Sequence, residues 1–167
     1  MTLIIRFVSN EEPDFALELK AAAINTFADL HNLIKKELNY NDALLASFFI
    51  SNTRWEKLQE ITLVDMGEGG CLMKNTQIRQ FVNRKGQHLT YVFDYFTERC
   101  LLGTVLAVSA KDTISQPVKI KLSGRIPPQL APDNDVFADD ALFSGNEEEA
   151  DAFAPDVLSD EEEGGDY

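Results

Sequence analysis

Two histidines, one acid–arginine pair and one tryptophan are the side chains in this sequence with types and spacing suited to chemistry. His31 lies in Thr26-Phe27-Ala28-Asp29-Leu30-His31, and at 100° per residue it falls on the same helical stripe as Phe27, Ile34 and Leu38. An imidazole there either hydrogen-bonds at the edge of the core, the favoured reading, or serves a ligand or pocket. Asp94 and Arg99 flank Tyr95-Phe96-Thr97-Glu98. Across a tight hairpin they would form a cross-strand ion pair worth about 0.2 to 1 kcal/mol. Alternatively, Asp94, Arg99 and Tyr95 line a pocket in which the planar guanidinium holds a carboxylate or phosphate. Trp55, the only tryptophan, either caps the edge of the core or anchors a partner. An enzyme built from these groups would use Asp94, His31 or His88 with Arg99 as anion holder, which requires hydrogen-bond reach among them.

Other signatures are missing. Met66-Gly67-Glu68-Gly69-Gly70 lacks the spacing of a phosphate loop, and Asp133-Asn134-Asp135 lacks the glycine and terminal glutamate of a calcium loop. Cys71 and Cys100 have neither disulfide-framework nor zinc spacing and are expected as free thiols in a reducing compartment. The sequence therefore predicts no catalytic set, no metal and no cofactor. It contains no apolar run long enough to span a membrane, and no signal-peptide pattern precedes Thr2-Leu3-Ile4-Ile5. A soluble cytoplasmic protein without membrane association is expected.

Charge divides the chain of 167 residues unevenly. From Asp133 to Tyr167 there are 14 acids and no base, half of the 28 acids in the chain. The segment Lys74 to Arg125 holds nine bases against three acids, and the first 73 residues carry a net −5. Val136-Phe137, Leu142-Phe143, Phe153 and Val157-Leu158 punctuate the acidic end without a run able to offset ordering entropy. We therefore expect a folded domain over 1–132 and a disordered acidic tail over 133–167. The tail is the expected contact with a protein partner, or a mask over the chain's own basic segment. Nucleic-acid binding through Lys74 to Arg125 is the alternative.

The elements that would position these groups form an α+β domain with a mainly antiparallel sheet of about five to seven strands, one main helix and one short helix. Residues 2–8 and 15–19 read as an opening hairpin. Thr26, with Asp29 three residues later, caps a helix over 26–38. Strands are expected at 45–50 and 61–64, joined by a polar connection over 54–60. Asn75 is placed to cap a short helix bearing Ile78, Phe81 and Val82. Alternation over 88–96 gives the clearest strand, paired as a hairpin with Cys100 to Val108, and Val118 to Leu122 supplies the last.

Several of these segments resemble a known family. Thr26 to Ile34 is similar to the T-aromatic/Leu-x-x-LH-x-x-I helix of the plasmid pRiA4b ORF-3-like family, whose members are also labelled insertion-sequence passenger proteins. Leu45 to Phe49 resembles the strand that follows. Tyr91-Val92-Phe93-Asp94-Tyr95 resembles the first half of the family's Y-x-Y-D-F-G-D-x-W-x-H segment, and Gly124-Arg125-Ile126-Pro127-Pro128 its closing turn. The resemblance covers most of residues 2 to 130 and none of the tail. Phe96 and Thr97 replace the Gly-Asp of the motif, Arg99 stands at the Trp position and Leu101 at the His position. The resemblance implies a mixed α/β domain, a link to mobile genetic elements and no established activity. Together these readings lead to a non-enzymatic binding or regulatory module of unknown partner.

Overall fold

The structure is a computed structural model that describes residues 1–131 except 43, 66, 68 and 111–113. The described residues belong to one unit, Met1–Asn134. The acidic tail expected over 133–167 lies outside them, as do Met66, Glu68, Lys111 and Asp112.

Eight strands form one sheet: β1 (Thr2–Ser9), β2 (Ala16–Ala22), β3 (Ser47–Ser51), β4 (Lys57–Thr62), β5 (Cys71–Leu72), β6 (His88–Asp94), β7 (Arg99–Ser109) and β8 (Val118–Ser123). Their spatial order is β5-β4-β3-β6-β7-β1-β2-β8. The β-branched and aliphatic run of β1 puts Leu3, Ile5 and Phe7 on the buried face, and β2 answers with Leu17, Leu19 and Ala21. Ser9 turns the chain between them, its Oγ accepting from the backbone N–H of Glu11 at 3.0 Å and of Glu12 at 3.3 Å.

The helix α1 (Phe27–Leu38) packs against this face through Phe27, Leu30, His31, Ile34 and Leu38. Thr26 Oγ1 accepts from the Asp29 N–H at 3.1 Å, and the Asp29 carboxylate accepts from the Thr26 N–H at 2.8 Å, closing the expected capping box. Asn39, at φ 56°, ends the helix in the left-handed conformation that asparagine tolerates. Phe27 packs on Phe48 with ring centroids 5.3 Å apart, and Phe48 on Tyr91 at 4.8 Å. In β7, Gly103 stands opposite Phe7, and a Cβ there would meet the Phe7 ring at 2.5 Å. No helix among the described residues is long and apolar enough to cross a membrane.

The sheet departs from expectation in number and in pattern. It has eight strands rather than five to seven, and it is mixed, because β5 runs parallel to β4 through Ile61–Cys71 and Thr62–Leu72. Two residues carry too little periodicity to betray a strand. Lys57-Leu58-Gln59-Glu60, expected as a connection, belongs to β4 and pairs with β3. Its side chains remain largely exposed, so the alternation that marks a half-buried strand is absent. The expected short α-helix is a single 3-10 turn, Ile78–Gln80, with the Gln80 side chain bonded back to the Gln77 N–H at 2.6 Å.

Candidate functional site

One end of the central strands opens into a cleft of about 810 Å³. Its walls come from the start of β3 (Leu45 to Ser47), the end of β4 (Glu60, Thr62) with the Leu63-Val64-Asp65 segment after it, Leu72 of β5, and Asp94-Tyr95-Phe96 at the end of β6. Leu45, Val64, Tyr95 and Phe96 are large apolar side chains left open to solvent, Phe96 at 93% exposure. Among the described residues, the ionisable groups lining the cleft are Glu60, Asp65, Asp94 and the Tyr95 phenol, and no base is among them. The site is an apolar trough with a negative rim.

Asp94 builds the turn rather than facing a ligand. It is 4% exposed, its Oδ1 accepts from the Phe96 N–H at 2.9 Å and the Thr97 N–H at 3.4 Å, and its Oδ2 accepts from the Thr97 hydroxyl at 2.7 Å. These bonds hold Tyr95 and Phe96 over the cleft. The Tyr95 hydroxyl donates to the Glu60 carboxylate and accepts from the Ser47 hydroxyl. Burial and the Glu60 bond push the phenol up to about 12, so it remains a neutral donor at neutral pH.

Arg99 is elsewhere. The register sets it opposite Asp94, as the hairpin reading expects, but a bulge between Val92 and Asp94 interrupts the ladder. Its guanidinium bonds Glu11 twice, at 2.9 and 2.6 Å, donates to the Gln129 carbonyl at 3.2 Å, and sits 5.3 Å from the Phe93 ring centroid. Tyr40 joins this cluster, donating to the Pro127 carbonyl at 2.8 Å. Arg99 thus latches the closing segment 124–131 to the body of the sheet. The expected Asp94–Arg99 ion pair does not form, nor does a pocket shared by Asp94, Arg99 and Tyr95, because the two charges are each satisfied by nearer partners.

His31 is buried, with Nδ1 2.9 Å from the Tyr91 hydroxyl. Burial, reinforced by Lys35 and only partly opposed by Asp42, holds it down at about 4, so it is neutral at neutral pH. His88 does not join it. His88 and Tyr91 are three positions apart on β6, which sets them on opposite faces of the sheet.

Trp55 packs on His88 with ring centroids 4.2 Å apart, at the far end of β3 from the cleft. It sits in the β3–β4 turn at φ 65°, a conformation that costs a bulky L-residue roughly 1 to 2 kcal/mol. Asn52 holds the turn, its Oδ1 accepting from the N–H of Arg54 at 2.8 Å and of Glu56 at 3.0 Å. The basic segment is distributed over several surfaces. Arg99 bonds Glu11, Lys119 bonds Glu37 at 2.5 Å, and Arg125 lies 3.6 Å from Glu12. Among the described residues no group of three His, Cys, Asp or Glu side chains could hold a metal ion. Cys71 and Cys100 are free thiols.

Sequence reasoning named Asp94 and Tyr95 of the cleft but missed Leu45, Glu60, Val64, Leu72 and Phe96. The available signal was Phe96 itself, a large apolar residue in a turn where the similar family has glycine.

The profile of the plasmid pRiA4b ORF-3-like protein family matches residues 8–132. No curated protein matches the chain. Among solved structures, the chain is similar to a protein of unknown function, MM3350, from Methanosarcina mazei Go1. The identity is 17%, the TM-score is 0.56, and the match covers 72% of this chain and 68% of that one. That likeness is one of fold. The residues behind the family resemblance meet in space, since His31 of the helix segment and Tyr91 of the strand segment share a hydrogen bond.

Proposed function

The chain belongs to the plasmid pRiA4b ORF-3-like protein family, and from that premise we propose that it is a non-enzymatic binding module. Its cleft seats an extended peptide segment of a protein partner, one bulky apolar side chain entering the trough and an adjacent Lys or Arg meeting the acidic rim. The observation that carries this reading is the lining: Leu45, Val64, Tyr95 and Phe96 are open to solvent beside Glu60 and Asp65, with no base among the described residues of the wall. An apolar patch of this kind marks an interaction surface. The charge of the rim selects against an acidic occupant.

The chemical groups that a catalytic reading needs have other partners. Asp94 serves its turn, Arg99 serves Glu11 and Gln129, and His31 serves Tyr91. The association with mobile genetic elements and a cytoplasmic location belong to the same proposal. So does an acidic tail that docks on a basic partner or covers the chain's own bases. The tail has the charge that the rim of this cleft repels.

Selection of random octapeptides on the full-length chain tests the proposal. The expected enrichment is an aromatic or aliphatic residue next to Lys or Arg, with binding weakened at least about tenfold by Phe96→Ala and by Glu60→Gln. Peptides that bind both variants as well as the parent are ligands of the tail or another surface, and their dominance would overturn it.

A further inference from the structure

A second cleft, of about 460 Å³, opens at the other end of β3, between the β3–β4 turn and the turn that precedes β6. Its lining includes Ser51, Asn52, Thr53, Leu58, Arg84, Lys85 and His88, and no carboxylate among the described residues. We propose that this cleft is an oxyanion site that takes a phosphate group, held by Arg84 and Lys85.

Four observations point the same way. First, the two bases are neighbours in sequence on one turn, and neither has an ion-pair partner among the described residues, whereas Arg6, Arg54, Arg99, Lys119 and Arg125 each face a glutamate. Second, the nearest acid on the facing turn, Glu56, is already engaged, with Arg54 at 3.3 Å and with the Asn52 side-chain amide. The cleft therefore keeps an uncompensated positive charge, which a dianion satisfies better than a neutral ligand.

Third, the turn carrying the bases is built to hold them in place. The Gln87 side chain accepts from the N–H of Asn83 at 2.7 Å and of Arg84 at 2.8 Å and donates to the Phe81 carbonyl at 2.9 Å. The Gly86 N–H is fixed to the Val105 carbonyl at 2.8 Å. Fourth, His88 has an Nδ1 that is buried without a hydrogen-bond partner. The proton of an imidazole is normally placed by the bond its second nitrogen makes. No bond at Nδ1 fixes the tautomer of His88, whose ring lines the cleft. Trp55, in its strained left-handed backbone, lies against the same ring. A bulky residue kept at such a position indicates a role for the ring beyond the turn.

Phosphate could come as the free ion or as a phosphate ester, and a ring near the site suits an ester with a planar substituent. Trp55 is the only tryptophan and packs on His88 of the cleft wall, so its fluorescence responds to a ligand there through that ring. The test is a titration of the full-length chain with inorganic phosphate and with adenosine 5′-monophosphate, each against chloride at equal ionic strength. The expected result is a saturable change in Trp55 emission with phosphate-bearing ligands and none with chloride. The Arg84→Gln/Lys85→Gln double variant, altered only at exposed positions, should weaken binding at least about tenfold, while Asp65→Asn in the other cleft leaves it unchanged. Tighter binding of the nucleotide assigns the site to phosphate esters, and equal binding assigns it to the free ion. An unsaturable signal, a matching response to chloride, or undiminished affinity in the double variant overturns the proposal.

Discussion

Arg99 stands opposite Asp94 across the β6–β7 hairpin, yet its guanidinium is bonded to Glu11, at 2.9 and 2.6 Å, and Asp94 is bonded to its own turn. Register made them neighbours and the bulge at Val92 to Asp94 separated their roles. The bidentate geometry and the Gln129 carbonyl make Arg99 the fastener of the closing segment, and the Glu11 bond raises its already high pKa further.

Arg99→Ala is therefore expected to lower stability by about 2 to 3 kcal/mol, since it removes charge-assisted hydrogen bonds and the cover over Phe93. Denaturant unfolding checks the size. Double-mutant cycles check the partners: coupling between Arg99 and Glu11 should be on the order of 1 to 2 kcal/mol, and coupling between Arg99 and Asp94, whose charge acts on Arg99 without a bond, well below it. A large Arg99–Asp94 coupling would contradict the assignment.

His31 gives the fold a pH dependence of definite sign. Burial holds the folded-state value at about 4, below the ordinary 6.5, so the unfolded chain binds the extra proton first. Stability from this group is fully present above about pH 6.5 and is lost as pH falls towards 4, by roughly 2 to 3 kcal/mol in all. Unfolding of the parent and of His31→Gln across pH 4 to 7 isolates it, because the many carboxylates cancel in the difference. Parallel pH profiles for the two proteins would remove His31 as the source.

The helix and the β6–β7 hairpin were legible in the sequence because the information that sets them is local. Thr26 and Asp29 are three residues apart and close a capping box by themselves, and the stripe of Phe27, Ile34 and Leu38 repeats within four turns. Asp94 and Arg99 could be set opposite each other because the turn between them is short. The cleft was not legible. Leu45, Glu60, Leu72 and Phe96 come from four separate segments, and only the strand order β5-β4-β3-β6 brings them to one end of the sheet. Leu63 and Val64 were expected in a strand over 61–64, but β4 ends at Thr62 and both residues line the cleft, Leu63 also packing against the core.

Gly103 is required by the Phe7 ring that lies where its Cβ would be, at 2.5 Å. Gly103→Ala should cost about 1 to 3 kcal/mol through displacement of that ring, measured as a fall in thermal unfolding midpoint. Adding Phe7→Leu should recover part of the loss, as the smaller side chain vacates the space. If Gly103→Ala alone is neutral, the sheet at β1–β7 yields more easily than the packing indicates.

Phe96 is the residue on which the cleft reading depends most. At 93% exposure its side chain contributes little to folding, and Phe96→Ala should change stability by no more than about 0.5 kcal/mol.

The central claim is tested most directly by titrating the full-length parent and its Phe96→Ala and Glu60→Gln variants with one labelled peptide carrying an aromatic residue beside arginine, followed by fluorescence anisotropy at physiological salt. The account predicts saturable binding to the parent and a loss of about tenfold or more in each variant with stability unchanged in Phe96→Ala. Equal affinity for all three proteins would contradict it, because the peptide would then be held by a surface other than the cleft.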